Sequence, residues 1–225
     1  MCGILGFISR QEKCSRETFT RGLNTLESRG PDASGLFEHG PVLLGHRRLS
    51  IIDTSADGNQ PLHDATGRYT LIFNGEIFNF QELKKEKLSG IPINFRSHSD
   101  SEVLLYLLIH FGTDCLPWLS GFFAFAFYDS QSEETLLVRD RFGKKPLLVY
   151  QKNDTLIFGS ELKALMPLIG SYELNKEAVF LYFQFNYLPP ETGILQHLSK
   201  LSPGHLMRIN RQGVQRECYY QTVIQ

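Results

Sequence analysis

Short apolar segments separated by turn residues occupy most of the first 160 positions of the chain. Residues 4–8 form an apolar run that predicts a buried strand at the N-terminus, and residues 69–73 alternate as a half-buried strand does. Residues 122–128 are apolar or aromatic throughout, which predicts a strand buried on both faces. Further short strands are predicted at residues 42–44, 49–52, 136–138, 146–150 and 155–158. Because each parallel pairing needs a long crossover, this close spacing favours antiparallel sheets.

Helical periodicity marks the segment that follows the first strand. Ser15 is a candidate N-cap, and the apolar face of the helix would consist of Phe19, Leu23 and Leu26. Gly30 is a candidate C′ residue, and the proline after it cannot continue a helix. The pattern therefore predicts one amphipathic helix between the first two strands.

Further helices are predicted beyond residue 80. Ser99 and Glu102 have the spacing of a capping box in front of a strongly apolar helix. Other helical patterns cover residues 80–88, residues 160–165 with Ser160 as the cap, and residues 175–185. The last of these is rich in aromatic residues, which either cover the main sheet or form a surface that packs against a partner.

Composition narrows the class of protein. The 225 residues, 42% of them hydrophobic, suffice for one large globular domain or for one domain with an appendage. The formal net charge is −1 with both signs interleaved, so no basic surface for nucleic acid or a membrane is expected. The four cysteines, Cys2, Cys14, Cys115 and Cys218, form no CxxC pair. We therefore expect no metal site and no disulfide framework, and a reducing cytoplasmic compartment.

The start of the chain offers one residue with two reactive groups. If Met1 is removed, Cys2 carries a thiol, with an ordinary pKa of about 8.5, and an α-amine, with a pKa of about 7.7–8.0. An amine that titrates near neutrality is a suitable general base, so one residue could supply both nucleophile and base. The alternative is that Cys2 belongs to a frayed terminus, as most terminal residues do.

Asn74 and Gly75 are candidates for an oxyanion hole. Such a hole combines a side-chain amide with a backbone N–H aimed at the same point, and Asn74 and Gly75 can supply one each. The same dipeptide is also a strong signal for a two-residue hairpin turn. The sequence leaves both interpretations open.

Charged residues nearby can hold the two ends of an amino acid. Arg48 can bind a carboxylate with two parallel hydrogen bonds, and Asp100, with Glu76 as a second acceptor, can bind an ammonium group. Alternatively, Arg48 is solvated like Arg47 beside it, and Asp100 is a carboxylate favoured by a helix N-terminus. Taken together, these residues describe a pocket for glutamine or asparagine.

Seven segments of the chain resemble the class II glutamine amidotransferases, and most closely the N-terminal half of glutamine-hydrolysing asparagine synthetases. They are MCGI at residues 1–4, RGPD at 29–32, HRRLSIID at 46–53, FNGEI at 73–77, SD at 99–100, RDRFG at 139–143 and FGSELKAL at 158–165. The resemblance covers nearly the whole chain in order. It implies an α+β N-terminal nucleophile hydrolase fold, a four-layer αββα sandwich of two antiparallel sheets.

The resemblance also implies roles for individual residues. Cys2 would be the nucleophile that forms a thioester with glutamine, and Asn74 and Gly75 would form the oxyanion hole. Arg48 would bind the α-carboxylate, while Glu76 and Asp100 would bind the α-amine. The backbone of four residues would line the site: Leu49, Ser50, Ile51 and Ile52. The motif at residues 29–32 would shape the loop over the pocket, and no metal or organic cofactor is expected for this half-reaction.

The family resemblance sets the expected organisation and partners. We expect a glutaminase domain at residues 2–168 and, at residues 169–225, a connector toward a synthetase domain that uses ATP and Mg and whose phosphate-binding motif is absent here. That domain would act in cis or in trans, with a homodimer as a further possibility, and ammonia would amidate aspartate. The alternatives are a catalytically silent glutamine-binding module and ammonia supply to a different acceptor.

Overall fold

A computed structural model describes residues 1–189 and 191–222, and its strands form two six-stranded sheets with only antiparallel pairings among those residues. The strands are β1 (Gly3–Ile8), β2 (Ala33–His39), β3 (Val42–Arg48), β4 (Leu62–His63), β5 (Tyr69–Ile77), β6 (Gly121–Asp129), β7 (Glu134–Arg139), β8 (Leu148–Lys152), β9 (Thr155–Gly159), β10 (Leu198–Lys200), β11 (His205–Asn210) and β12 (Gly213–Cys218). The first sheet has the order β10-β8-β9-β1-β3-β2, and the second has the order β12-β11-β7-β6-β5-β4.

The helices α1 (Arg16–Asn24), α2 (Phe80–Lys87), α3 (Asp100–Phe111) and α4 (Leu162–Ile169) cover the outer faces of the two sheets, and α5 (Lys176–Phe185) follows them in the chain. The helices α1 and α4 share an apolar cluster with the first sheet, whereas α2 and α3 share one with the second sheet. A third cluster lies between the two sheets. The predicted four-layer αββα sandwich is therefore confirmed.

The strand β1 is the central element for the site, because it positions the start of the chain. All six of its residues are buried, and it lies between β3 and β9. Ser160 accepts a hydrogen bond from the backbone N–H of Ile4 at 3.0 Å. The chain is thus held inside the fold from the residue after Cys2 onward, and the frayed-terminus interpretation of Cys2 is wrong.

The region around Arg48 and Asn74 differs from the sequence prediction. The strand β3 continues through Arg48, and the predicted strand at residues 49–52 is wrong because these residues form a loop. The strand β5 likewise continues through Gly75, which pairs with Phe123. The hairpin interpretation of Asn74 and Gly75 is therefore wrong. Both errors concern short motifs whose local preference is overridden by pairing with a neighbouring strand.

Two predicted helix boundaries are also wrong. The helix α1 begins after Ser15 as predicted, but it ends at Asn24, six residues before Gly30. Gly30 is required for another reason, since a Cβ atom there would lie 2.3 Å from the backbone of Arg47. Ser160 does not cap α4, because its hydroxyl is used on β1.

The capping box in front of α3 is half confirmed. The Ser99 hydroxyl accepts a hydrogen bond from the N–H of Glu102 at 3.3 Å. The Glu102 carboxylate does not return to Ser99; it accepts the backbone N–H groups of Arg96 and Ser97 at 3.0 and 2.7 Å. The residues in front of the helix are therefore tied to its first turn.

Residues beyond 169 contribute strands to both sheets. The strand β10 pairs with β8, while β11 pairs with β7 and with β12. The predicted boundary after residue 168 coincides with no break in either sheet, and the assignment of residues 169–225 to a connector stays a prediction.

The aromatic side chains on and after α5 are exposed rather than covering a sheet: Phe180, Tyr182, Phe183, Phe185 and Tyr187. In the described part of the chain, no helix is both long and apolar enough to cross a bilayer.

Candidate active site

A cavity of about 240 Å³ brings together nearly all the residues predicted for the site. Its lining includes Cys2, Arg48, Leu49, Ile51, Ile52, Asn74, Gly75, Glu76 and Asp100. Ser50 is the exception, because it does not line the cavity and its N–H donates to the Asp32 carboxylate at 2.7 Å. A larger, open groove of about 830 Å³ contains Cys14 and none of these residues. The predicted site residues therefore gather in the smaller cavity and not in the larger groove.

Cys2 is held in place at its backbone carbonyl and at its sulfur. The N–H of Leu49 lies 3.4 Å from Cys2 Sγ, and Arg29 Nε donates to the Cys2 carbonyl at 2.9 Å. Burial raises the pKa of the Cys2 thiol, whereas the Leu49 N–H and the charges of Arg48 and Lys145 act to lower it. The thiol is therefore mostly protonated at neutral pH and needs a base to react.

The Asn74 side chain has an unusual environment. It is 1% exposed, and neither its Nδ2 nor its Oδ1 has a hydrogen-bond partner among the described residues. A buried amide without partners is costly, so such groups call for an explanation. Gly75 follows it where β6 approaches closely, since a Cβ atom there would lie 2.4 Å from the Phe122 carbonyl oxygen. The site thus contains an amide, within the paired strands β5 and β6, whose atoms have no hydrogen-bond partner among the described residues.

Arg48 is buried rather than solvated, so the alternative interpretation of this residue is wrong. One terminal nitrogen donates to the Ser55 carbonyl at 2.6 Å and to Asn59 Oδ1 at 2.8 Å. The other donates to the carbonyl of Asp53. Gly58 lies against the guanidinium, where a Cβ atom would be 2.3 Å from Nη2. The loop at residues 53–59 therefore fixes the orientation of this cation at the wall of the cavity.

Asp100 and Glu76 supply negative charge to the cavity. Asp100 is buried, and its Oδ2 accepts the N–H of Ile77 at 2.9 Å. Burial raises the pKa of Asp100 to about 6, and the charge of Glu76 adds to this effect. A cationic ligand group between the two carboxylates would relieve both the burial cost and their mutual repulsion.

His46 is not available as a base. It is fully buried, and its Nε2 lies 3.1 Å from the Phe73 carbonyl oxygen, which links the two sheets. Burial lowers its pKa to about 3, so the imidazole is neutral and Nε2 donates to the carbonyl.

Several cavity residues were missed by sequence reasoning. Asp53 lies in a motif that the family resemblance included, but its function in the fold was not predicted. Its carboxylate accepts the N–H of His98 at 2.9 Å and so joins two loops at the cavity rim. Lys145 lies two residues after another such motif and is buried. The only sequence signal for Lys145 was its charge and a glycine two residues before it. Within residues 1–189 and 191–222, no cluster of His, Cys, Asp or Glu could hold a metal ion.

Solved structures define the class of fold. A glutamine phosphoribosylpyrophosphate amidotransferase from B. subtilis superposes with a TM-score of 0.74 at 20% identity, over 99% of this chain and 50% of that chain. The allosteric regulatory enzyme of purine biosynthesis gives a TM-score of 0.73, also at 20% identity, with the same coverage. The fold is therefore that of the N-terminal nucleophile amidotransferases.

Sequence comparison then identifies the family. The family model for the glutamine amidotransferase domain matches residues 1–220, and the chain belongs to this family. It is 36% identical to asparagine synthetase [glutamine-hydrolyzing] 1 of Bacillus subtilis (strain 168), over 95% of this chain and 34% of that protein. It is 42% identical to asparagine synthetase B [glutamine-hydrolyzing] of Escherichia coli (strain K12), over 71% of this chain and 28% of that protein. The chain thus spans about a third of the length of these relatives.

Proposed function

We propose that this domain hydrolyses the side-chain amide of L-glutamine to glutamate and ammonia, with Cys2 as the nucleophile. The observation that carries the proposal is the buried amide of Asn74, which has no hydrogen-bond partner in the described part of the chain and lies in the same cavity as the Cys2 thiol. A hydrogen-bond donor left free beside a nucleophile is suited to the oxygen of a tetrahedral intermediate. The retention of this costly group is explained if the substrate completes its hydrogen bonds.

The proposed reaction proceeds in two steps. After removal of Met1, the α-amine of Cys2 accepts the thiol proton while the sulfur attacks the glutamine carboxamide carbon. Asn74 Nδ2 and the N–H of Gly75 stabilise the oxyanion, and the α-amine returns the proton to the departing ammonia. Water then hydrolyses the γ-glutamyl thioester, which regenerates the thiol and releases glutamate. No metal or organic cofactor takes part in this scheme.

The substrate's α-groups lie at the charged end of the cavity in this proposal. Arg48 binds the α-carboxylate, and Glu76 and Asp100 bind the α-ammonium group. The backbone of residues 49–52 lines the site between them. This arrangement demands a free amino acid, because a peptide-bonded glutamine lacks both charges.

A glutamine analogue with an electrophilic γ-carbon tests the proposal. We expect it to form one covalent adduct, located by peptide mapping at Cys2, in protein whose intact mass shows that Met1 is absent. Excess glutamine should protect against labelling. An adduct on Cys14, Cys115 or Cys218 instead would refute the proposal, and so would a Met1 that is always retained in cells, since only a glutamine-binding module would then remain.

Gly58→Ala tests the role of Arg48 without changing its charge. The added Cβ would lie 2.3 Å from the guanidinium and must displace it. Loss of well-aligned charged hydrogen bonds is expected to raise KM for glutamine by roughly 10–100-fold, since such bonds contribute about 1.5–3 kcal/mol each. Steady-state ammonia release measures this. Gly90→Ala is the matched control, because a Cβ at Gly90 has no atom within 4 Å; equal KM values in the two variants would contradict the role of Arg48.

Asp100→Asn should improve stability and impair binding together. Because burial raises the Asp100 pKa to about 6 from its ordinary value of 3.8, the ionised form destabilises the fold above pH 6, and this cost disappears as the pH falls toward 4. The Asn variant should therefore be more stable by roughly 1–3 kcal/mol at pH 8, with no advantage at pH 4. Its affinity for glutamine should fall about tenfold, since a charged hydrogen bond is lost.

Thermal melts at both pH values and calorimetric titration with glutamine measure these effects. Asp154→Asn serves as the control, because Asp154 lies outside the cavity and its carboxylate accepts the N–H groups of Arg10 and Gln11. That variant should lose stability and bind glutamine normally. Unchanged glutamine affinity in Asp100→Asn would remove Asp100 from the proposed site.

The use of the ammonia is proposed from the relatives. Two relatives are named as glutamine-hydrolysing asparagine synthetases, and we propose that ammonia made here amidates aspartate at a synthetase domain acting in cis or in trans. ATP and Mg would be needed only by that domain.

The exposed aromatic residues of α5, which include Phe183, are the surface we propose for docking of the synthetase domain. We also propose that the protein forms a homodimer. We propose a cytoplasmic location as well, because all four cysteines are free, as a reducing compartment requires.

A further inference from the structure

The cavity contains a lysine to which the proposed function assigns no role. Lys145 is 7% exposed, and its Nζ lies 2.9 Å from Met1 Sδ and 4.5 Å from the centre of the Phe122 ring. Burial lowers the pKa of the Lys145 ammonium group, and the cation–π interaction with the Phe122 ring opposes this effect by favouring the charged form. This cation is therefore directed at the start of the chain, next to the residue that carries the reactive thiol.

The position of Lys145 is fixed by a ring of hydrogen bonds to Asp140. The buried Asp140 carboxylate accepts the backbone N–H groups of Phe142, Lys144 and Lys145 at 3.1, 3.0 and 2.9 Å. It also accepts the N–H of Phe123 at 3.3 Å, which ties the turn to β6. Because its charge is used on backbone donors, Asp140 orders the turn instead of pairing with the lysine.

The Arg139 side chain holds the same turn from its other side. Its three nitrogens donate to the carbonyls of Lys145 at 2.8 Å, Gly143 at 2.7 Å and Leu201 at 2.6 Å. Gly143 has a φ of 62°, which a residue with a side chain rarely adopts. The motif at residues 139–143 therefore fixes the conformation of the turn and orients Lys145 toward the cavity.

The other cation nearest the chain start is neutralised. Arg29 donates to the Cys2 carbonyl, but its guanidinium also forms an ion pair with Glu161 at 2.8 Å. Lys145, by contrast, takes part in none of the ion pairs found among the described residues. Its positive charge is thus uncompensated by a direct partner.

The remaining charged groups of the cavity have other partners. The Arg48 guanidinium donates to the loop at residues 53–59. Asp100 accepts the N–H of Ile77. Glu76 is partly exposed, and its charge acts to raise the pKa of both Asp100 and Lys145. In the proposed function these three residues hold the α-groups of the substrate. Lys145 is left as the charge that faces the reacting end.

We propose that Lys145 is a positioning residue for catalysis: once Met1 is removed, its ammonium group faces the Cys2 α-amine and keeps that amine unprotonated. This inference rests on the proposed function, in which the α-amine is the base. An ordinary α-amine has a pKa of about 7.7–8.0 and is mostly protonated at neutral pH. A neighbouring positive charge disfavours the protonated form, and it favours the thiolate of Cys2 at the same time.

Lys145→Met tests the inference, because methionine keeps the length of the buried side chain without its charge. The acidic limb of the pH profile of kcat/KM for ammonia release should move up by about one pH unit, the lower end of the effect of a charge at close range. The variant should therefore be about tenfold slower at pH 6.5 and regain wild-type activity near pH 9. A loss that is equal at all pH values would show a structural role and overturn the inference.

Two matched variants sharpen the experiment. Lys145→Arg retains the charge and should restore most of the wild-type profile, whereas an Arg variant as impaired as Lys145→Met would indicate that Lys145 itself transfers the proton. Lys144→Met removes the adjacent, exposed lysine and should leave the profile unchanged. An acidic limb that shifts equally in Lys144→Met would mean that only the overall charge matters, which contradicts the inference.

A second measurement separates this inference from the proposed function. The rate of Cys2 alkylation by iodoacetamide, followed by mass spectrometry across the pH range, requires no glutaminase activity. Its midpoint should rise in Lys145→Met and stay at the wild-type value in Lys145→Arg. If the processed wild-type protein releases no ammonia, the proposed function fails, while the alkylation midpoints still decide whether Lys145 acts on Cys2. Identical midpoints in all variants would refute the role of Lys145.

Discussion

Cys2→Ala is expected to abolish ammonia release from glutamine while the protein still binds glutamine. Removal of a nucleophile in a hydrolase that forms a covalent intermediate lowers turnover by about 10⁴–10⁶-fold. Glutamine affinity should stay within about threefold of wild type, because the charged groups that hold the α-carboxylate and α-ammonium lie elsewhere in the cavity and act independently. Ammonia release and calorimetric titration give the two results on the same preparation.

Cys218→Ala is the matched control for this experiment. Cys218 is exposed at the end of β12 and does not line the cavity, so its removal should leave ammonia release at the wild-type rate. The intact masses of both variants must show that Met1 is absent. Turnover close to wild type in Cys2→Ala would refute the covalent mechanism, whatever the control shows.

Asn74→Ala is expected to give the second largest effect, a loss of about 10²–10³ in kcat, as is typical for removal of one oxyanion donor. The free enzyme should gain stability or keep it, because the mutation removes a buried amide whose atoms have no partner among the described residues. KM should change little, since the amide acts on the transition state. Activity and thermal melts at one pH measure both consequences.

Asn210→Ala provides a control of the same chemical kind. The Asn210 side chain is engaged with Glu134 and with the N–H of Gln212 at the far end of β11. Its loss should lower stability and leave kcat unchanged, the reverse of the pattern expected for Asn74. A kcat within threefold of wild type for Asn74→Ala would show that the amide does not stabilise the oxyanion.

The sequence predicted the main elements well where the pattern was long or strongly apolar. The strand at residues 122–128 and the helix at residues 175–185 are present in the structure with nearly the predicted bounds. Errors arose at short motifs, because a few residues leave local preference weak against tertiary pairing. Residues 74–75 favour a turn by themselves, but nine consecutive pairings between β5 and β6 keep them extended.

The residues of the candidate site were likewise predicted only in part from the sequence. Most of its residues were predicted from chemical type and from the family resemblance, and the structure gathers them into one cavity, with Ser50 outside it. Lys145 could not be predicted, because a lysine in a glycine-containing turn is usually exposed. Its burial depends on Asp140 and Arg139, whose side chains return to the backbone of their own turn.

The sequence by itself predicted the helices and the central strands, but not β2, β4 or the strands β10 to β12, and it indicated a candidate nucleophile at the start of the chain and residue types suited to hold an amino acid. These follow from periodicity and side-chain chemistry, which act locally. The tertiary structure alone decided that Arg48 is fixed by the loop at residues 53–59, that Asn74 is buried without a partner among residues 1–189 and 191–222, and that Lys145 faces the chain start. Burial and charge at these positions come from segments far apart in the chain, so the properties of these side chains arise only when the two sheets pack together.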